Sequence, residues 1–366
     1  MKTKIYFMMY LFLVLAGCKK DDVTLEQSSS RTLLVYMNGN SNLDKETYDK
    51  LEELRKSATR TMGRLLVFQD IGSSGARLLE IKYGKDGQGE IALIKSYGHT
   101  NASIFKQVLN DLVSVAPSHA YGLLYFSHGS GWLPQRALTQ PFDFSPTATD
   151  HFGFSDFAAA IPDHFFDYIV FESCFMSGIE VLYELKDKTN FVMSSAAEIV
   201  SPGFTGIYDQ LLPLLYQPQA DLKACAQLYF EHYNKQNGIY RSATISVTDM
   251  KALPALANWV KKYAHTNLPE SKLNEIQHFD RYYGYKLFFD FEDYYQRLSP
   301  IESHDELSAL LKKAVPFKAA TPQFLKNYNG FDIFAFSGLT SYIPQNGFGY
   351  LNNAYKNLTW SAAISN

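Results

Sequence analysis

The chain has 366 residues, 46% hydrophobic and 15% aromatic, enough to bury a large core in one domain or two. Its formal charge of −3, with no cluster of Lys or Arg, excludes the phosphate-neutralising surface a nucleic-acid partner requires. Peptides, proteins and small molecules remain as partner classes.

The start reads as a targeting segment. Lys2 and Lys4 precede an apolar run over 5–16, shorter than the roughly 20 residues of a spanning helix. Leu15-Ala16-Gly17-Cys18 resembles the bacterial lipobox, in which the cysteine is acylated and becomes the first mature residue. Residues 1–17 are therefore expected to be a signal peptide, Cys18 a lipid anchor, and 18–30, polar with little to bury, a disordered tether. The charged stretch 19–22 is similar to the signal that carries some outer-membrane lipoproteins to the cell surface, with ordinary solvated charge as the other reading. Residues 31–366 are expected to form one elaborated, monomeric domain.

In that domain the apolar run 32–37 predicts a buried strand, followed by a turn-rich stretch and a helix over 43–57. Strands are expected at 64–69, 78–83 and 91–97, the last two joined by a turn at 86–89. A helix over 102–115 ends before Pro117, and the strand 121–127 leads into His128. Residues 133–151, with three prolines and no period, read as a long loop. A short helix over 154–161, a strand over 167–173 ending at Cys174, a helix over 176–185 and a strand over 191–195 follow. Further on, helices are expected at 209–216, 221–235, 253–264, 291–298 and 305–314, with strands at 243–247 and 331–342. Alternating strands and helices predict an α/β/α sandwich around a mostly parallel sheet, with its informative loops at the carboxyl ends of the strands.

Of three cysteines, Cys18 is assigned to lipid and Cys225, at helical spacing with Leu222, Tyr229 and Tyr233, to the core. Cys174, at the end of an apolar run, has no such structural reason. A thiol between a strand and a helix amino end has its pKa lowered, and a histidine ending the neighbouring strand can assist it or protonate a leaving amine. Gly129 allows close backbone approach, and the amides of Gly129 and Cys174 suit an oxyanion hole. A core cysteine and a structural histidine remain the alternative on spacing alone.

The wording of these stretches goes further. His-Gly-Ser-Gly-Trp at 128–132, Glu-Ser-Cys-Phe-Met at 172–176 and Glu-Val-Leu-Tyr-Glu-Leu-Lys-Asp at 180–187 resemble the clostripain family of cysteine endopeptidases, which has a caspase-like fold. The resemblance extends with less specificity over 36–44, 195–208 and 338–344. It implies His128 as catalytic histidine and Cys174 as nucleophile, acting on peptide bonds through a thioester. It implies that Glu172 and Ser195 contact substrate, with the Glu172 carboxylate selecting Arg or Lys, although Glu-Ser-Cys replaces the more usual Asp-Ala-Cys. Asn40 stands where the family usually has Asp. Self-cleavage between the catalytic residues would fall after Arg136, the one basic residue of 133–151. The acid-rich aromatic run 288–295 raises a calcium site, since calcium dependence occurs in the family, but its alternation reads as one buried and one solvated face, so no metal and no cofactor are expected. A catalytically silent binding module on the same scaffold, or an amidase or transpeptidase using the same nucleophile, are the competing functions.

Overall fold

An unbroken apolar run sends alternate side chains to opposite faces of a sheet, so a strand written this way must be covered on both sides. Strand β1 (Thr32–Asn38) does this: Leu34 and Tyr36 enter one core, while Leu33, Val35 and Met37 enter another. The computed structural model describes residues 31–39, 42–59, 63–72, 74–84, 87–134, 153–266, 268–281 and 285–365. The expectations for 1–17, Cys18, the tether, Asn40, Arg136 and most of the 133–151 loop fall outside these residues.

After β1 the chain forms α1 (Asp44–Ser57), β2 (Arg64–Ile71), the hairpin β3 (Gly75–Tyr83) and β4 (Gly89–Tyr97), α2 (Ala102–Val115) and β5 (Tyr121–Phe126). It continues through α3 (Phe154–Ala160), β6 (Phe166–Glu172), α4 (Ile179–Glu184), β7 (Thr189–Ser194), α5 (Tyr208–Leu215), α6 (Leu222–Asn234), β8 (Thr244–Asp249) and α7 (Leu253–Tyr263). The two-residue β9 (Phe289–Asp290) leads into α8 (Phe291–Arg297), followed by α9 (His304–Ala314) and β10 (Phe317–Ala320). Among the described residues one sheet runs β10-β8-β7-β6-β5-β1-β2-β3-β4. Its centre, β7-β6-β5-β1-β2, is parallel, and antiparallel strands complete both edges.

Helices cover each face. Leu51 and Leu54 of α1, Leu211 and Leu215 of α5 and Cys225 and Tyr229 of α6 share a core with one set of strand residues. Phe105, Val108, Leu109 and Leu112 of α2 pack with Leu253, Leu256 and Trp259 of α7 against the other. The α/β/α sandwich expected from the alternation is what forms. Helix α2 starts where Asn101 Oδ1 accepts the Ile104 amide at 3.0 Å, a side-chain cap that answers one of the open amides of the first turn.

Three local expectations are corrected. The helix expected over 176–185 begins only at Ile179; 174–177 form a turn in which Phe175 adopts φ 61°, a left-handed conformation. The strand expected over 331–342 is reduced to two-residue pieces at Phe331–Asp332 and Thr340–Ser341. The edge strand β10, four residues long and partly buried, carries too little pattern to be anticipated. The acids of 288–295 separate into structural partners: Asp290 accepts the amides of Asp293 and Ser337, Glu292 accepts from Ser308 and Gln296, and Asp293 pairs with Arg297. Among the described residues no three His, Cys, Asp or Glu side chains are grouped to share a metal ion.

Candidate active site

Parallel neighbours in register deliver their carboxyl ends to the same level. Strands β5 and β6 pair through Phe126 opposite Glu172, and each chain then runs two residues further, to His128 and to Cys174. The two connecting turns touch: a Cβ placed on Gly129 would lie 2.4 Å from the Cys174 carbonyl oxygen and 2.8 Å from its nitrogen. Only glycine permits that approach, and it brings the Gly129 N–H to the sulfur, where it favours the charged form and opposes part of the effect of burial.

Side chains and backbone then orient both groups. His128 Nε2 lies 2.7 Å from Asn42 Oδ1 in the loop after β1. An amide oxygen only accepts, so Nε2 is the donor in this contact. The turn after Cys174 is stitched to the segment after β7: Phe175 N–H donates to the Ala197 carbonyl at 3.0 Å and Ser177 N–H to the Ser195 carbonyl at 3.0 Å. Ile199 N–H donates to Cys174 Sγ at 3.4 Å, placing that segment over the nucleophile.

The expected lowering of the Cys174 pKa is corrected. The turn 174–177 separates the thiol from α4, so no helix end acts on it. Burial pushes the thiol up to about 12, the Glu198 charge adds to this, and the Ile199 and Gly129 amides with Arg281 oppose it. The resting thiol is therefore protonated at neutral pH. Alkylation of resting protein by iodoacetamide should rise by roughly tenfold per pH unit between pH 6 and 9, following the thiolate fraction; a plateau near pH 7 in labelling at Cys174 would contradict the protonated state.

Glu172 and Ser195 depart from their expected roles. The Glu172 side chain is wholly buried: Oε1 accepts from Lys50 Nζ at 2.6 Å and from the Phe204 amide, and Oε2 accepts from the Tyr208 hydroxyl at 2.9 Å. Lys50, also wholly buried, further donates to the Pro202 carbonyl at 3.1 Å and to Thr205 Oγ1 at 2.9 Å. Glu172 is thus no open carboxylate, because its charge is answered inside the protein. Ser195 turns its hydroxyl 2.7 Å from Thr244 Oγ1 in the core, and serves the site through its carbonyl bond to Ser177. A second acid stands nearer the surface: Glu198, one residue before the amide on the sulfur, receives Arg281 Nε at 2.6 Å and Nη2 at 2.9 Å.

Asn42, Lys50, Glu198 and Arg281 were not anticipated. Lys50 carried a signal, since Thr47, Lys50, Leu51 and Leu54 share the buried face of α1 and a lysine in such a row needs an internal partner. Arg281 carried none, because its partner is 83 residues away.

Comparison with known proteins agrees with this fold. The chain is similar to an inactive zymogen C11 protease from Parabacteroides distasonis, at 25% identity and a TM-score of 0.82, covering 93% of this chain and 99% of that one. It is also similar to a secreted C11 cysteine protease from Bacteroides thetaiotaomicron, at 25% identity and a TM-score of 0.81, covering 92% and 99%. A complex of such a secreted Bacteroides thetaiotaomicron protease with an irreversible peptide inhibitor shares the fold at 24% identity and a TM-score of 0.78, covering 92% and 99%. No curated protein matches the chain. The clostripain family model matches residues 35–346, a span that takes in both strand ends and the segment over the thiol, and the chain belongs to that family of cysteine peptidases.

Proposed function

We propose that this peptidase cuts peptide bonds after Arg or Lys through Cys174 and His128. The thiol gives its proton to His128 and the sulfur attacks the scissile carbonyl carbon, with the Gly129 and Cys174 amides receiving the oxyanion. The C–N bond breaks, the amine leaves with the proton from His128, and the acyl group remains as a thioester. Water then gives a proton to His128 and attacks the thioester; the C–S bond breaks and the sulfur recovers its proton. The observation that carries this reading is the contact of the two turns, where Gly129 lies against the Cys174 backbone beyond strands held in register. The basic preference is supported by Glu198, the acid that keeps part of its side chain exposed one residue before the amide on the sulfur.

Two further parts belong to the same proposal. Cys18 carries lipid that tethers the enzyme to the outer membrane, and self-cleavage after Arg136 activates it; the motifs at 15–18 and 133–151 support these parts. One set of mass spectra tests the whole. Protein extracted from membranes should begin at an acylated Cys18 and show new ends after Arg136 in active material, and acid-quenched reactions should show an acyl group on Cys174. An unmodified Cys18, active protein without the nick, or turnover with no acyl adduct would each remove the corresponding part. Peptide products ending in a free carboxylate mark hydrolysis, and joined peptides would indicate transpeptidation.

A further inference from the structure

Two carboxylates stand beside Cys174, and they differ in whether they can change partners. Glu172 and Lys50 are both fully buried, and Gly203 lies so close that a Cβ there would fall 2.1 Å from Glu172 Oε1. A substrate side chain reaching that oxygen would have to displace Lys50, the Phe204 amide and the Gly203 backbone together. Glu198 and Arg281 each keep 19% of their side-chain surface exposed. Unlike the sealed Glu172–Lys50 pair, this one reaches solvent on both sides, so its partner can be exchanged without leaving a charge enclosed in the core.

The Glu198 pair also has the geometry of substrate recognition. Arg281 approaches with Nε and Nη2 on the two oxygens of one carboxylate, the forked arrangement by which a guanidinium is distinguished from a simple ammonium. Its remaining nitrogen donates to the Tyr328 carbonyl at 2.7 Å, and its guanidinium carbon lies 5.7 Å from the centroid of the exposed Tyr328 ring. Arg281 therefore keeps contacts of its own when it leaves Glu198. The carboxylate sits on the segment whose next amide touches the nucleophile. Both charges act on the thiol, in opposite directions, so both lie within electrostatic reach of the reacting sulfur.

We infer that Glu198 is the residue that reads the basic side chain of the substrate, and that Arg281 occupies it in the resting enzyme as an internal substitute for that side chain. The inference rests on the basic preference proposed above and moves its carrier from Glu172 to Glu198. Exchange of one guanidinium for another conserves the forked bonds, so Arg is preferred to Lys at the cleaved position. Removal of Arg281 strengthens binding of Arg peptides, because the internal competitor is gone.

The test compares kcat/KM for peptides that differ only at the cleaved position, bearing Arg, Lys or norleucine, with the full chain as wild type, Glu198→Gln, Glu198→Asp, Glu172→Gln and Arg281→Gln. Wild type should rank Arg above Lys above norleucine. Glu198→Gln should lower the Arg-over-norleucine ratio about 30-fold, the worth of a charge-assisted pair, and Glu198→Asp should recover part of it. Arg281→Gln should raise the same ratio several-fold, through KM, a change opposite to what a damaged fold would produce. If wild type favours Arg but Glu198→Gln keeps that ratio and melts normally, the inference is overturned while the basic preference stands; a collapse of the ratio in Glu172→Gln alone would return the role to Glu172. A wild type that cleaves norleucine as well as Arg removes the basic preference and the inference with it.

Discussion

Replacement of Cys174 by alanine is expected to lower kcat/KM for peptide hydrolysis by at least ~10⁴-fold, the scale seen when a covalent nucleophile is removed. No neighbour can take its place. Ser173 is buried, and Cys225 lies fully buried in α6, its thiol pushed up by burial. Alanine fits the space of the thiol and leaves the contact of Gly129 with the Cys174 backbone intact, so the loss reports chemistry instead of folding. The measurement is steady-state hydrolysis of peptides by wild type and variant, with melting curves for both. Activity in the variant within tenfold of wild type would eliminate the covalent mechanism.

Replacement of Lys50 by methionine is expected to be the most damaging single change outside the nucleophile. Glu172 would keep its charge in a fully buried site without a counter-ion, a situation that costs about 3–5 kcal/mol. Its amide and hydroxyl donors from Phe204 and Tyr208 would remain, but they do not cancel a full charge. For a chain of this size that corresponds to a melting temperature lowered by roughly 4–8 °C. The same change releases Pro202 and Thr205, which Lys50 ties to α1, and so loosens the segment that begins over the sulfur. Combining Lys50→Met with Glu172→Gln removes both charges and keeps an acceptor for the Phe204 amide, and should restore most of the lost stability. A single variant as stable as wild type, or a double variant no better than the single, would refute the buried-pair account.

These two sites show why one part of the molecule was legible before folding and another was not. The apolar runs that become β1, β5 and β6 announce themselves because a strand covered on both faces has no polar positions to interrupt it. Their abrupt ends at His128 and Cys174 follow, as does the helix α2, whose boundaries come from Asn101 and the approach to Pro117. The helix after Cys174 was placed too early. Met176 and Ile179 are apolar at helical spacing, but the intervening residues are held in a turn by bonds to 195–197, which come from another strand.

The sequence by itself determined the α/β alternation, the pairing of a histidine with a cysteine at strand ends and the need for glycine at 129, because each follows from local pattern or from the chemistry of one residue. Tertiary structure alone decided what the acids do. Charge is a property of a residue, but its use depends on the partner it meets, and Glu172 meets Lys50 across 122 residues while Glu198 meets Arg281 across 83. Burial then separates the two pairs: the first is sealed and holds the fold, the second keeps part of both side chains exposed beside the nucleophile.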